Sequence, residues 1–221
     1  MAENIWAEVD TERLDLARLL DGLSPMQWDQ PSLCTRWRVR EVVAHLLFIT
    51  EWTPRRLITG MIRAGGNANR FIAGDALTQA ATPSSELLQR VHLSVGARRH
   101  PPGTTPAMVL CDHLCHAQDI RRALPKPRAI PTVRLRMVAD ALVASGRGIG
   151  SRPRARGLHL LSADLDWTHG HGPQVSGPTE ALIMALAGRR DAIRELRGPG
   201  VATLASRIAE QAVAPQASTL I

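Results

Sequence analysis

Tyrosine is missing from this chain, phenylalanine occurs twice, and Lys126 is its single lysine. The first two shortages remove most of the flat side chains on which unpaired bases stack, which argues against a single-stranded nucleic-acid platform. Three cysteines, Cys34, Cys111 and Cys115, are too few and odd in number for a disulfide framework. They suit a reducing compartment. No apolar run approaches the ~18 residues that a membrane-spanning helix needs. The first residues, Met1-Ala2-Glu3-Asn4-Ile5-Trp6, lack a basic segment followed by an apolar one, so no secretory signal is expected. The chain is expected to be cytoplasmic, with no membrane partner.

What is present is a 221-residue chain, 44% hydrophobic, with a net charge of +7 carried almost wholly by arginine. That length allows one large domain or a medium and a small one. The positive surplus favours anionic small molecules. It is scattered, with residues 147–156 alone being dense, whereas nucleic-acid binding gathers charge on one face, so no nucleic-acid partner is expected.

Apolar residues recur at helical spacing over 5–23, through Ile5, Val9, Leu16, Leu19, Leu20 and Leu23. A second helix is predicted over 38–60, with Val42, Val43, Leu46 and Ile49 as its stripe and His45 among them. Arg38 stands where Ser or Thr would cap it better. A loop follows at Gly65-Gly66-Asn67, then a short helical piece around 70–79. A third long helix is predicted over 84–99. A fourth runs from 105 to 124: Thr105 can cap it, Pro106 suits its first position, Arg121 and Arg122 favour its last turn, and Pro125 stops it. Four helices with short connections predict an up-and-down bundle.

A fifth helix over 132–145 closes this first domain. The glycines at 146, 148 and 150 follow a helix rather than a strand, so they fail as a dinucleotide fingerprint and read as a boundary. Beyond it, 157–163 reads as a strand that 164–167 continues, and 169–173 as a turn. Helices are predicted over 178–186, 191–196 and 201–213, and the tail after 214 is expected to be loose. The expected fold is mainly α: a bundle domain over 1–146, a small α+β domain over 147–213, and a tail over 214–221.

The fourth helix carries the chemistry. Asp112 and His116 are four apart and His116 and Asp119 three apart, so all three share a face. They are either a solvated polar face or two metal ligands with a partner that orients one of them. His45 alone is a core histidine or a ligand. Facing bundle helices can aim side chains into a shared site, and two imidazoles with one carboxylate leave coordination positions open, as catalytic zinc sites do. His113 lies about 100° round the helix from Asp112 and is expected to face elsewhere. Cys111 and Cys115 have three residues between them, which spoils a haem-attachment box, and both read as small packing residues. His169 and His171, in a glycine-rich turn, read as solvated.

The run Ser32-Leu33-Cys34-Thr35-Arg36-Trp37-Arg38-Val39-Arg40-Glu41-Val42-Val43-Ala44-His45-Leu46 resembles the start of the second helix in the mycothiol-dependent maleylpyruvate isomerase family, part of the DinB-like metal-binding four-helix group. Asp112, His116 and Asp119 match that family's second signature. Asp164-Leu165-Asp166-Trp167, Gly170-His171-Gly172-Pro173, Gly177-Pro178-Thr179-Glu180-Ala181-Leu182 and Ala187-Gly188-Arg189 resemble its small C-terminal domain. The resemblance spans about 6–208. It implies that His45, Asp112 and His116 are the metal ligands, with Asp119 behind His116. The family usually has Glu where this chain has the shorter Asp112.

The resemblance also implies the thiol mycothiol as cofactor, with a divalent metal, zinc foremost, and nickel or iron compatible with the same ligands. The reaction it implies is cis–trans isomerisation of an unsaturated diacid, or transfer of the thiol to another small electrophile. A metal-held thiolate adds to the activated double bond, the bond rotates as a single bond, and elimination gives the trans isomer. Arginines are ready partners for substrate carboxylates. The alternatives on the same scaffold are a non-catalytic ligand-binding bundle and a metal-dependent hydrolase.

Overall fold

The computed structural model describes residues 2–144 and 151–213. The boundary read at 146–147, the glycine-rich stretch 146–150 and the tail 214–221 lie outside the described residues. The elements, in order, are helices α1 (Ala2–Asp21), α2 (Pro25–Trp28), α3 (Val39–Glu51), α4 (Pro54–Arg63), α5 (Ala68–Gln79), α6 (Ser84–Ser94), α7 (Pro106–Ala123), α8 (Thr132–Ala144) and α9 (Ser151–Ala155). Strands β1 (His159–Ser162), β2 (Thr168–His169) and β3 (Gln174–Gly177) follow, then α10 (Thr179–Leu186), a 3-10 helix (Arg190–Glu195) and α11 (Val201–Val213). The fold is mainly α, with a small sheet towards the C-terminus. No described helix is long and apolar enough to cross a membrane.

Packing divides the chain after Arg128 into two compact units. In the N-terminal unit α1 packs on α6 and α7, and α3 packs on the same two, which closes a ring of four long helices. Its core is made of Leu16 and Leu20 from α1, Val42, Val43, Leu46 and Leu47 from α3, Leu87 and Val91 from α6, and Ala117 and Ile120 from α7. Each of the Leu, Val and Ile side chains among them contributes roughly 1.5–3 kcal/mol on leaving water. The helix stripes read from the sequence are therefore the faces that meet.

Two predicted boundaries move. The second helix does not run to 60. It stops at Glu51, and Thr53 caps a new helix by accepting a hydrogen bond from the Arg56 amide, with Pro54 in the first turn. The same Thr-Pro start opens α7, where the Thr105 hydroxyl accepts from the Met108 amide. The third long helix ends at Ser94 rather than 99, and Gly96 just beyond it takes a φ of 83°. The start of α3 is closed from within: the Glu41 carboxylate accepts from the Arg38 amide at 2.7 Å and pairs with its guanidinium at 2.6 Å.

In the C-terminal unit the sheet order is β2-β1-β3, with β1 antiparallel to β2 and parallel to β3. Leu160 pairs with Val175 across the parallel ladder, and both are buried. Strand β3 was not foreseen, and 164–167 bends instead of extending β1. Helix α8 packs on α9 and α10 through its buried Leu135, Val138 and Leu142, so it belongs with this unit and not with the bundle. The segment read as a helix over 191–196 is the 3-10 helix.

Candidate metal centre

Helix α7 is buried along its middle, from Val109 to Ile120, because it has neighbours on more than one side. Its polar residues must therefore find partners inside the protein, since an unpaired buried polar group is costly. They do so in two directions. His113 faces α1. Its Nδ1 lies 2.9 Å from the Val109 carbonyl and its Nε2 accepts from Arg13 Nε at 3.3 Å. Burial, aided by the Arg13 charge, pushes His113 down to about 3, so it is a neutral hydrogen-bond bridge. Arg13 is itself fully buried and also holds the carbonyls of Ser94 and Ala97.

Asp112 and His116 face α3. The donor atoms of His45, Asp112 and His116 all lie within 4.8 Å of one another, and all three residues are buried. His45 Nε2 is 3.4 Å from Asp112 Oδ1, and His116 Nε2 is 3.6 Å from the same oxygen. Two donors that share a tetrahedral ion at ~2.1 Å stand about 3.4 Å apart, so these spacings fit one small cation. The two imidazoles meet edge to face, with centroids 4.9 Å apart.

Three buried atoms in this cluster lack any hydrogen-bond partner among the described residues: His45 Nδ1, Asp112 Oδ2 and His116 Nε2. Leaving such atoms unsatisfied costs about 1–3 kcal/mol each. A cation between the donors would satisfy Asp112 and His116 together. His116 is already aimed for this, because its Nδ1 is held by Asp119 Oδ2 at 2.9 Å, which leaves Nε2 as the free donor. Burial pushes the Asp112 carboxyl up, but the neighbouring His45 and His116 outweigh it and hold it below the usual range. The residues present thus suit a borderline divalent ion with nitrogen and oxygen ligands.

Two side chains of the centre were not singled out from the sequence as site residues. Trp37 covers both imidazoles, 5.1 Å from His45 and 6.1 Å from His116 between ring centroids. Cys34 places its sulfur within 4.8 Å of donor atoms of His116 and Asp119. Both sit on the loop before α3, which is fastened to α7 by a hydrogen bond from the Leu33 amide to the Asp119 carbonyl. Ser32 braces the loop by donating to the Trp37 carbonyl at 2.8 Å and accepting from the Cys34 amide. Arg36, at φ 71°, makes the sharp turn between them. The adjacency of this loop to the His45 helix in the Ser32–Leu46 run was the available signal. His169 and His171, outside this unit, are exposed, as expected.

Comparison with known proteins bears on the N-terminal unit first. The model of the mycothiol maleylpyruvate isomerase N-terminal domain matches residues 9–100, a span that contains His45 and ends before Asp112 and His116. Two solved structures share the fold over most of the chain. A mutant of the mycothiol-dependent maleylpyruvate isomerase aligns with a TM-score of 0.62 and 16% identity, covering 90% of this chain and 93% of that one. A second structure of a mycothiol-dependent maleylpyruvate isomerase aligns with a TM-score of 0.59 and 18% identity, covering 86% and 90%. A comparison with curated proteins gives no match. Over residues 9–100, which include the buried histidine on α3, the chain is therefore similar to the mycothiol maleylpyruvate isomerase N-terminal domain.

Proposed function

We propose that this protein is a metal- and thiol-dependent enzyme, an isomerase or S-transferase related to maleylpyruvate isomerase, in which His45, Asp112 and His116 hold a divalent cation. The observation that carries the reading is the meeting of three donors from two helices around buried atoms that no group among the described residues satisfies. Zinc suits two imidazoles and a carboxylate. When bound, such an ion lowers the pKa of a coordinated thiol and so supplies thiolate at neutral pH.

The chain's own residues set up the rest. Asp119 fixes the ring of His116 by holding its Nδ1 proton, so that Nε2 points at the centre. Asp112 brings one negative charge to the site and keeps it there at neutral pH. Trp37 covers the two imidazoles and limits water beside them. The cosubstrate is the low-molecular-weight thiol mycothiol. The second substrate is a small electrophile, such as a cis-unsaturated diacid. Addition of the sulfur to the activated carbon–carbon double bond makes it a single bond, rotation follows, and elimination returns the thiol with the trans product. A thiol cofactor, and three cysteines free of disulfides, suit a cytoplasmic setting.

Elemental analysis and turnover test this reading together. The wild-type protein is expected to hold about one divalent ion per chain and to isomerise maleylpyruvate when mycothiol is supplied. His116→Ala is expected to lose the ion and the activity while keeping its helical spectrum. Metal-free wild-type protein that also takes up no added zinc would overturn the centre. Retention of mycothiol with no turnover of any electrophile would reassign the protein as a ligand-binding member of the fold. Asp112, shorter than the family's usual glutamate, is the residue at which such a difference would arise.

A further inference from the structure

We propose that a cleft between α4 and α5, separate from the metal centre, binds a small organic anion with two or three carboxylate groups. The cleft encloses about 460 Å³, within the range of small-molecule sites, and none of His45, Asp112 and His116 lines it. Three guanidiniums and one carboxylate stand on its wall: Arg56 and Arg63 from α4, Arg70 and Asp75 from α5. Asp75 is consumed by a two-pronged bond from Arg56, with Nε to Oδ1 at 2.8 Å and Nη2 to Oδ2 at 2.6 Å. The cleft therefore already holds one carboxylate in the geometry for which guanidinium is suited.

Arg63 and Arg70 have no side-chain partner among the described residues, so the lining carries two uncompensated positive charges. The amide of Arg70 at the start of α5 is taken by the Asn67 side chain at 2.9 Å. That removes one of the backbone donors a phosphate would use at a helix N-terminus, and leaves recognition to the guanidiniums. Gly74 lines the same cleft. It lies inside α5, where glycine costs ~0.5–1 kcal/mol against alanine, yet a Cβ built on it meets nothing within 4 Å. No packing contact calls for glycine there. Gly74 is exposed on the cleft wall, so a longer side chain there has room to reach into the cleft.

Charge and shape can be tested separately. Citrate is titrated into the full-length protein by calorimetry, with sodium chloride at matched ionic strength as the reference. Arg63→Gln/Arg70→Gln keeps the volume and removes the charge. Gly74→Leu keeps the charge and adds bulk on the cleft wall. Saturable citrate binding is expected in the wild type, weakened at least tenfold in both variants. It is expected to be unchanged in His45→Ala, which separates this site from the proposed metal centre. Heat no greater than that of sodium chloride overturns the proposal. So does a Gly74→Leu variant that binds like wild type, since the arginines would then act only as a diffuse positive surface. Pyrophosphate binding tenfold tighter than citrate overturns the carboxylate assignment in favour of phosphate.

Discussion

Asp119 is not one of the three proposed ligands, yet the centre depends on it. An imidazole has two nitrogens, and which one offers a lone pair is set by what the other donates to. Asp119, fully buried and 2.9 Å from His116 Nδ1, makes that choice. Asp119→Asn is expected to weaken metal retention by ~10–100-fold, while circular dichroism shows the helical content unchanged. Competition with a chelator of known affinity checks it. Unaltered affinity would mean that His116 does not depend on this bond. Asp112, His116 and Asp119 were legible because helical spacing alone puts them on one face, and His45 because it interrupts an apolar stripe on a second helix. Trp37 and Cys34 were not, because their placement depends on a loop whose turn is made by Arg36 at positive φ, a position where sequence reading looks for glycine. The direction of His113 was legible from the angle between helix positions. Its partner, a buried arginine one hundred residues away, was not.

Elements show the same division between local grammar and tertiary supply. Thr-Pro starts are local, which is why the start of α7 was foreseen; the same pair at Thr53-Pro54 also marks the break that the apolar pattern hid. Helix α10 is different. Pro178 sits at its cap position and has no hydrogen-bonding side chain to offer, so Asp164, fifteen residues before Thr179, accepts from the Thr179 amide at 2.9 Å and from its hydroxyl. A cap borrowed from the bend after β1 cannot be read from residues 178–186. Burial raises the Asp164 carboxyl, but its bonds with Thr179 and Ser162 outweigh that and hold it below its ordinary value of 3.8. The folded state therefore prefers the ionised form. The stabilisation is complete above about pH 4 and is lost as pH falls through the lowered folded value. Asp164→Ala is expected to destabilise the C-terminal unit by about 0.5–2 kcal/mol at neutral pH and to remove that part of the acid sensitivity. Chemical denaturation at pH 7 and pH 3 measures both. Gly60 makes a parallel case between α4 and α5: a Cβ there would run into the Phe71 ring. Gly60→Ala is expected to cost about 1–3 kcal/mol by forcing the helices apart, read as a lower denaturation midpoint.

Over the whole molecule, the ring of α1, α6, α3 and α7 was legible because each helix carries a continuous stripe and the connections are short. The limit between the two units was harder. Proline-bounded 126–131 and glycine-rich 146–150 both look like linkers, and the choice between them rests on where the stripe of α8 is buried, which is a tertiary fact. The ring also bears on stability. His45 on α3 and Asp112 and His116 on α7 are neighbours in space but about seventy residues apart in sequence, so the unfolded chain does not present them together. A cation bound by all three stabilises the native state alone and ties two bundle helices to each other. At a hundred times its dissociation constant it adds about 2.7 kcal/mol. Thermal unfolding of the metal-free protein is therefore expected to shift upward by several degrees as zinc is added, and back on chelation. His45→Ala and His116→Ala are expected to unfold at a temperature indifferent to zinc. Were the variants to respond as the wild type does, zinc would be acting elsewhere on the chain, and the two helices would be held by packing alone.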